Sequence, residues 1–258
     1  MPSIAIVTGA SSGLGREFVK RIDAGEAGAV DEIWVVARRA QRLDALVRTC
    51  STPVRPFCLD LCDEASFAML EGALTETPGA TVSLLINCAG AGTFGSFADQ
   101  PKGKAGNMIN LLAKAPVEMM YRTLPYMAPG SRIINIASVA AFTPQPKLAV
   151  YSAAKRFILD ITRSLDAELR EVGIHACAVC PKFMATEFLS NPGDSAAAQS
   201  MCAIGFEKPE TVATKALQAS SAGKSLCIPS LDMKAYYAIN GVLPYEAKLK
   251  VERLLGIK

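Results

Sequence analysis

Short apolar runs of strand length alternate along most of the chain with longer stretches of helical periodicity. The runs predict β-strands over 4–8, 32–37, 54–59, 82–87, 132–137, 174–180 and 225–228. Helices are predicted over 13–24, 41–50, 63–75, about 102–127, about 149–172 and 210–221. Strands such as Ile33-Trp34-Val35-Val36 and Leu84-Leu85-Ile86 are apolar without alternation. That is the pattern of strands covered on both faces, as in a parallel sheet. Repeated β–α units of this kind predict an α/β fold: a doubly wound, seven-stranded parallel sheet with helices on both faces.

Two stretches break the rhythm. Residues 181–209 form a long loop with Asn191-Pro192-Gly193-Asp194 and many small residues, and loops of this length are commonly functional. In the tail, 230–258, Tyr236, Tyr237, Ile239, Val242, Leu243, Leu249, Val251, Leu254 and Leu255 alternate with Lys and Glu. This pattern predicts one or two amphipathic helices, packed on the domain or in a subunit interface, laid over a greasy substrate or resting on a membrane surface.

Composition narrows the choice. The 258 residues allow one large domain or two small ones, and the unbroken β–α order favours one, 1–258. Half the residues are hydrophobic and a fifth charged, which excludes fibrous and disordered classes. A net charge of +3 from 27 basic and 24 acidic residues is too balanced to imply nucleic acid as a partner. No apolar run approaches the ~18 residues of a membrane span. The opening Met1-Pro2-Ser3-Ile4 has no basic region and no long apolar stretch, so no signal peptide is expected. Eight scattered cysteines in a chain of this size point to reduced thiols and a cytoplasmic setting. Cys177 and Cys180 match a C-x-x-C spacing but fall on a predicted strand, where residues three apart face opposite ways. No zinc-type spacing is visible around the one histidine, His175, so no metal is expected. His175, Trp34 and the Met119-Met120 pair are expected to be structural.

The chemistry begins at Thr8-Gly9-Ala10-Ser11-Ser12-Gly13-Leu14-Gly15, between the first strand and the first helix. Glycines permit a tight turn and close backbone approach, and the helix N-terminus offers free N–H groups to a pyrophosphate. The second strand ends Val35-Val36-Ala37-Arg38-Arg39, with no acid where a ribose 2′-hydroxyl would be bound. Arg38 and Arg39 instead suit a 2′-phosphate, which points to NADP(H) rather than NAD(H). Further on, Ser138 ends the fifth strand and Tyr151-Ser152-Ala153-Ala154-Lys155 opens the next helix. Tyr and Lys at i, i+4 share a helix face. There an ammonium can lower a phenol from ~10 toward working pH and make it a general acid/base.

In this order and spacing the motifs resemble the short-chain dehydrogenase/reductase family, of single-domain, Rossmann-type architecture, over nearly the whole chain. The resemblance adds Asp60 and Leu61 after the third strand. It also adds Asn87-Cys88-Ala89-Gly90, where Cys88 stands for the family's Asn, and Asn110 within Ile109-Asn110-Leu111. It implies a catalytic tetrad of Asn110, Ser138, Tyr151 and Lys155. Tyr151 would exchange the proton with the substrate oxygen and Ser138 would hydrogen-bond it. Lys155 would tune Tyr151 and hold the nicotinamide ribose, and Asn110 would hold a relay water. Gly9, Ser11, Ser12, Gly13, Leu14, Gly15, Arg38, Arg39, Asp60, Leu61, Asn87, Ala89, Gly90, Pro181 and Thr186 would bind the cofactor with Tyr151 and Lys155. The family's Pro-Gly after the sixth strand is here Pro181-Lys182, so Lys182 reaches cofactor phosphates, an acidic substrate or solvent. Phe94, Phe97, Phe142, Phe183, Met184, Phe188 and Leu189 flank the expected pocket. They favour a small apolar carbonyl or secondary alcohol, with a lean toward a hydroxysteroid. A 3-oxoacyl reductase and a non-catalytic nucleotide sensor are the alternatives. The resemblance also implies a homodimer or homotetramer.

Overall fold

The computed structural model describes residues 2–93, 95–184, 186–187, 205–244 and 246–248. Phe94, Phe188, Leu189, Asn191-Pro192-Gly193-Asp194, Cys202, Leu249, Val251, Leu254 and Leu255 lie outside the described residues. The elements run β1 (Ser3–Thr8), α1 (Gly13–Asp23), β2 (Glu32–Ala37), α2 (Ala40–Thr49), β3 (Val54–Cys58), α3 (Glu64–Thr75), β4 (Thr81–Asn87), α4 (Lys104–Ile109), α5 (Ala115–Thr123), β5 (Arg132–Ile136), α6 (Ala149–Leu169), β6 (His175–Val179), α7 (Pro209–Ser221), β7 (Leu226–Cys227) and α8 (Leu231–Val242). All seven strands form one parallel sheet in the order β3-β2-β1-β4-β5-β6-β7.

Alternation of side chains across this sheet builds a core on each face. Ala5, Val7, Ile33 and Val35 pack with Leu14, Phe18, Leu43 and Val212, so α1, α2 and α7 cover one face. Ile4, Ile6, Trp34 and Val36 pack with Phe67, Leu70, Met119 and Met120 from α3 and α5 on the other. Leu165 and Leu169 bring α6 to that same face. Cys177 joins the first core, whereas Cys180 lies in a cluster with Phe142, Ile158 and Ile228, so the two thiols do face opposite ways. Trp34, Met119 and Met120 are core residues. His175 sits at the start of β6, its Nδ1 3.7 Å from Asp166 Oδ1.

The predicted helix over 102–127 is interrupted. Between α4 and α5, Asn110–Lys114 forms a π turn, and the Ala115 N–H donates to the Asn110 carbonyl. Pro116 follows at once and has no N–H to close the i→i−4 ladder onto Leu112. A π turn is a local accommodation of that gap. In the tail, α8 is the first amphipathic helix. Its Tyr236 and Tyr237 rings lie 6.2 Å and 4.8 Å from that of Phe142. Among the described residues no helix is long and apolar enough to cross a membrane.

Candidate active site

From β1 the chain winds outward to β2 and β3, then returns to β4 and continues the other way. The strand ends therefore diverge beyond β1 and β4, the place where open α/β sheets bind ligands. A cleft of about 490 Å³ opens there. Every residue assigned from sequence to catalysis or cofactor binding lines it except Asn87 and Asn110.

One end is built by the glycine turn. Gly9 has φ +71°, and a Cβ there would meet Ala89 backbone atoms at 2.8 Å. A Cβ on Gly15 would meet the Gly9 carbonyl oxygen at 2.2 Å, so α1 can start this close to β1 only without side chains at both positions. Thr8 fixes the neighbouring turn, its Oγ1 accepting from the Cys88 and Ala89 N–H groups at 3.0 and 3.1 Å. Ser12 makes no side-chain cap bond, and the first turn of α1 has no acid. The helix N-terminus thus presents its donors and partial positive charge to the cleft.

Arg38 and Arg39 leave β2 beside this turn. Arg39 Nη2 donates to Ser11 Oγ and Ser12 Oγ, each at 2.8 Å. Arg38 Nη1 lies 3.8 Å from Asp60 Oδ2, and both side chains are exposed. The donor set is that of an anion site next to a helix N-terminus, and it fits a phosphorylated dinucleotide.

At the other end stand Ser138, Tyr151 and Lys155, all buried. Ser138 caps a short 3-10 turn, accepting from the Ala140 N–H at 3.1 Å, and hydrogen-bonds Tyr151. Lys155 Nζ donates to the Ile136 carbonyl at 2.6 Å and lies 5.8 Å from the centre of the Tyr151 ring. Burial pulls Lys155 down to about 8. Burial also pushes Tyr151 up to about 12, against the lowering effect of the Ser138 hydrogen bond. That rise runs opposite to the lowering that a lysine charge would bring, and Lys155 is not among its causes. The ammonium is held by the Ile136 carbonyl, and burial is the largest influence on the phenol. Cys88, in the place of the family Asn, is a half-buried residue on the cleft wall whose thiol is pushed up to about 12 by desolvation, with the Lys155 charge opposing that rise.

Asn110 lies in the π turn, whose next two residues, Leu111 and Leu112, line the cleft while it does not. Asn87 sits beneath the cleft, donating to Asn135 Oδ1 at 2.9 Å and to the Pro116 carbonyl at 3.4 Å. Both asparagines were matched by motif, and motif alone did not reveal which way β4 turns its last side chain. Lys182 lines the cleft, with its side chain largely buried rather than in solvent. Its Nζ pairs with Asp232 in the first turn of α8, and its N–H donates to Glu207 Oε2 at 2.8 Å. Phe183 and Met184 line the cleft; Phe97 is exposed instead. Sequence reasoning missed Glu187, which lines the cleft and pairs with Arg39 and Arg42. Among the described residues, no cluster of three or more metal-ligating side chains forms.

Comparison with known proteins agrees with this architecture. Residues 3–196 match the family model described as short chain dehydrogenase. The chain is 32% identical over 216 residues to sulfoacetaldehyde reductase 2 of Chromohalobacter salexigens, covering 78% of this chain and 81% of that protein. It is similar to a short-chain dehydrogenase from Sphingobium yanoikuyae in complex with NADPH, with a TM-score of 0.78, 27% identity and 93% of each chain covered. It shares its fold with a short-chain dehydrogenase/reductase from Burkholderia phymatum in complex with NAD, with a TM-score of 0.80, 22% identity and 92% of each chain covered. A parallel sheet with its cleft at the strand switch, and a family match spanning six of its seven strands, lead to one conclusion. The chain belongs to the short chain dehydrogenase family of nicotinamide-dependent oxidoreductases.

Proposed function

We propose that the protein is an NADP(H)-dependent oxidoreductase that interconverts a carbonyl and a secondary alcohol on a small, apolar molecule. The observation that carries this reading is the buried group of Ser138, Tyr151 and Lys155 at one end of a cleft whose other end holds Arg38 and Arg39. When bound, the nicotinamide donates or accepts the hydride. The chain's own residues handle the proton and the charge. The Tyr151 phenol gives its proton to the substrate oxygen in reduction and takes it back in oxidation. The Ser138 hydroxyl hydrogen-bonds that oxygen as charge develops on it. Lys155, leaving the Ile136 carbonyl for the ribose hydroxyls, brings positive charge toward Tyr151 and favours its ionised form. Asn110 positions a water that returns the proton toward Lys155. Arg38 and Arg39 receive a 2′-phosphate, and Asp60, Leu61, Asn87, Ala89, Gly90, Pro181 and Thr186 surround the rest of the cofactor.

Phe183 and Met184 on the cleft wall support an apolar substrate, with a hydroxysteroid the first to try. The same proposal takes 1–258 as one nucleotide-binding domain, with 181–209 as its substrate-binding loop and 230–258 as a helical tail. Exposed Ile109, Tyr121 and Phe157 on α4, α5 and α6 support a homodimer or homotetramer. The eight cysteines suit the cytoplasm.

The test is a panel of carbonyls and alcohols with both cofactors, followed by the absorbance of the reduced nicotinamide. Bulky apolar ketones, oxosteroids among them, should be reduced with NADPH at a kcat/KM at least about tenfold above that with NADH, about 1.4 kcal/mol. Turnover confined to short polar aldehydes, such as a sulfonated one, would overturn the substrate reading.

A further inference from the structure

Glu187 follows β6 on the far wall of the cleft, yet it is tied to the arginines of the near wall. Its Oε2 accepts from Arg39 Nη1 at 2.7 Å, across 148 residues of sequence, and its Oε1 accepts from Arg42 Nη1 at 2.6 Å. The neighbouring Thr186 completes the crossing, its Cγ2 3.2 Å from where a Cβ on Gly13 would stand. The remaining edge of the Arg39 guanidinium is spent on the Ser11 and Ser12 hydroxyls. One planar donor thus serves both the glycine turn and a carboxylate. The carboxylate takes an arginine edge that suits bidentate recognition of carboxylate or phosphate alike. The two guanidinium groups hold Glu187 well below the usual carboxylate range, at about 2, so it stays ionised at any working pH.

We propose that Glu187 is a specificity-determining residue, an internal competitor for the cofactor's 2′-phosphate at Arg39 and Arg42. This rests on the NADP(H) reading above. A 2′-phosphate approaching Arg39 meets a guanidinium already engaged and a negative charge next to it. Glu187 therefore weakens binding of the phosphorylated ribose while leaving the unphosphorylated one nearly untouched. It narrows the preference that Arg38 and Arg39 create. All three side chains are close to half exposed, so the effect is modest and depends on salt.

The experiment is calorimetric titration of the full-length protein with 2′,5′-ADP and with 5′-AMP, for wild type, Glu187→Gln and Glu187→Ala. Wild type should prefer 2′,5′-ADP. Both variants should bind 2′,5′-ADP about three- to tenfold more tightly than wild type, with 5′-AMP changed by less than about twofold. The gain should shrink toward nothing as salt rises from about 0.05 to about 1 M. If wild type prefers 2′,5′-ADP but the variants bind it equally or more weakly, Glu187 does not compete and the proposal is overturned, with the cofactor reading intact. If neither wild type nor the variants distinguish the two ligands, the cofactor reading itself fails and the proposal goes with it.

Discussion

Lys155 is the residue at which burial and chemistry are most at odds. Its ammonium, enclosed beside Ser138 and Tyr151, has its pKa pulled down to about 8. Between that value and the ordinary lysine value the unfolded chain holds a proton that the folded chain has released. The unfolded state then binds more protons, so this group's contribution to stability rises with pH across that window. Below about pH 8 the full cost of burying the charge remains. Tyr151 and Cys88, raised to about 12, act in the opposite direction above their ordinary values. A comparison with Lys155→Met isolates the lysine. Measured by denaturant unfolding without cofactor, wild type should gain about 2 kcal/mol over Lys155→Met between about pH 7 and about pH 9.5. A difference that does not change with pH would show that Lys155 is not buried as a strained cation.

What the sequence revealed at this scale was local. Tyr151 and Lys155 share a helix face because they are four apart, and Arg38 and Arg39 end a strand. Pairings across the fold were hidden. Lys182 meets Asp232 at a separation of 50 residues, and Glu187 meets Arg39 at 148. The upward direction of the Tyr151 pKa was also hidden, because it comes from enclosure by other elements rather than from the helix that carries the phenol.

At the scale of elements, the turn from β1 into α1 is the most demanding. Gly15 and Gly9 let helix and strand ends touch, with no flexible side chain there to yield. Gly15→Ala should cost about 3 kcal/mol or more, since its Cβ would collide with backbone. A contrasting site is Gly72 in α3, where a Cβ would meet nothing within 4 Å. Gly72→Ala should stabilise by about 0.5–1 kcal/mol through helix propensity. Denaturant midpoints of the two variants check both. A cost below about 1 kcal/mol at Gly15 would contradict the packing described. The central strands were legible because strands covered on both faces are nearly continuous apolar runs, unlike the edge strand β3 with its Arg55. The helix over 102–127 was legible as helix but not as two segments. Its break depends on how Pro116 and the π turn share backbone bonds, to which hydrophobic periodicity is blind.

For the whole molecule, the sheet order matters more than any motif. It places the glycine turn after β1, the Ala89-Gly90 turn after β4 and Ser138 after β5 along one edge. The α6 helix then brings Tyr151 and Lys155 to the same cleft. The tail contributes as well, since α8 packs its tyrosines at a tilt against Phe142 and anchors Lys182 through Asp232. The sequence marked that tail only as amphipathic. Where it docks depends on partners far along the chain.

In the proposed reaction the cofactor held in this cleft carries the hydride while Tyr151 moves the proton. The most direct measurement pairs turnover of a bulky ketone by wild type and Tyr151→Phe with NADPH binding to both. Tyr151→Phe should lose at least about 10³-fold in kcat/KM, with the NADPH dissociation constant changed by less than about threefold. A Tyr151→Phe protein that kept its reductase activity, with NADPH bound as before, would contradict this role of Tyr151.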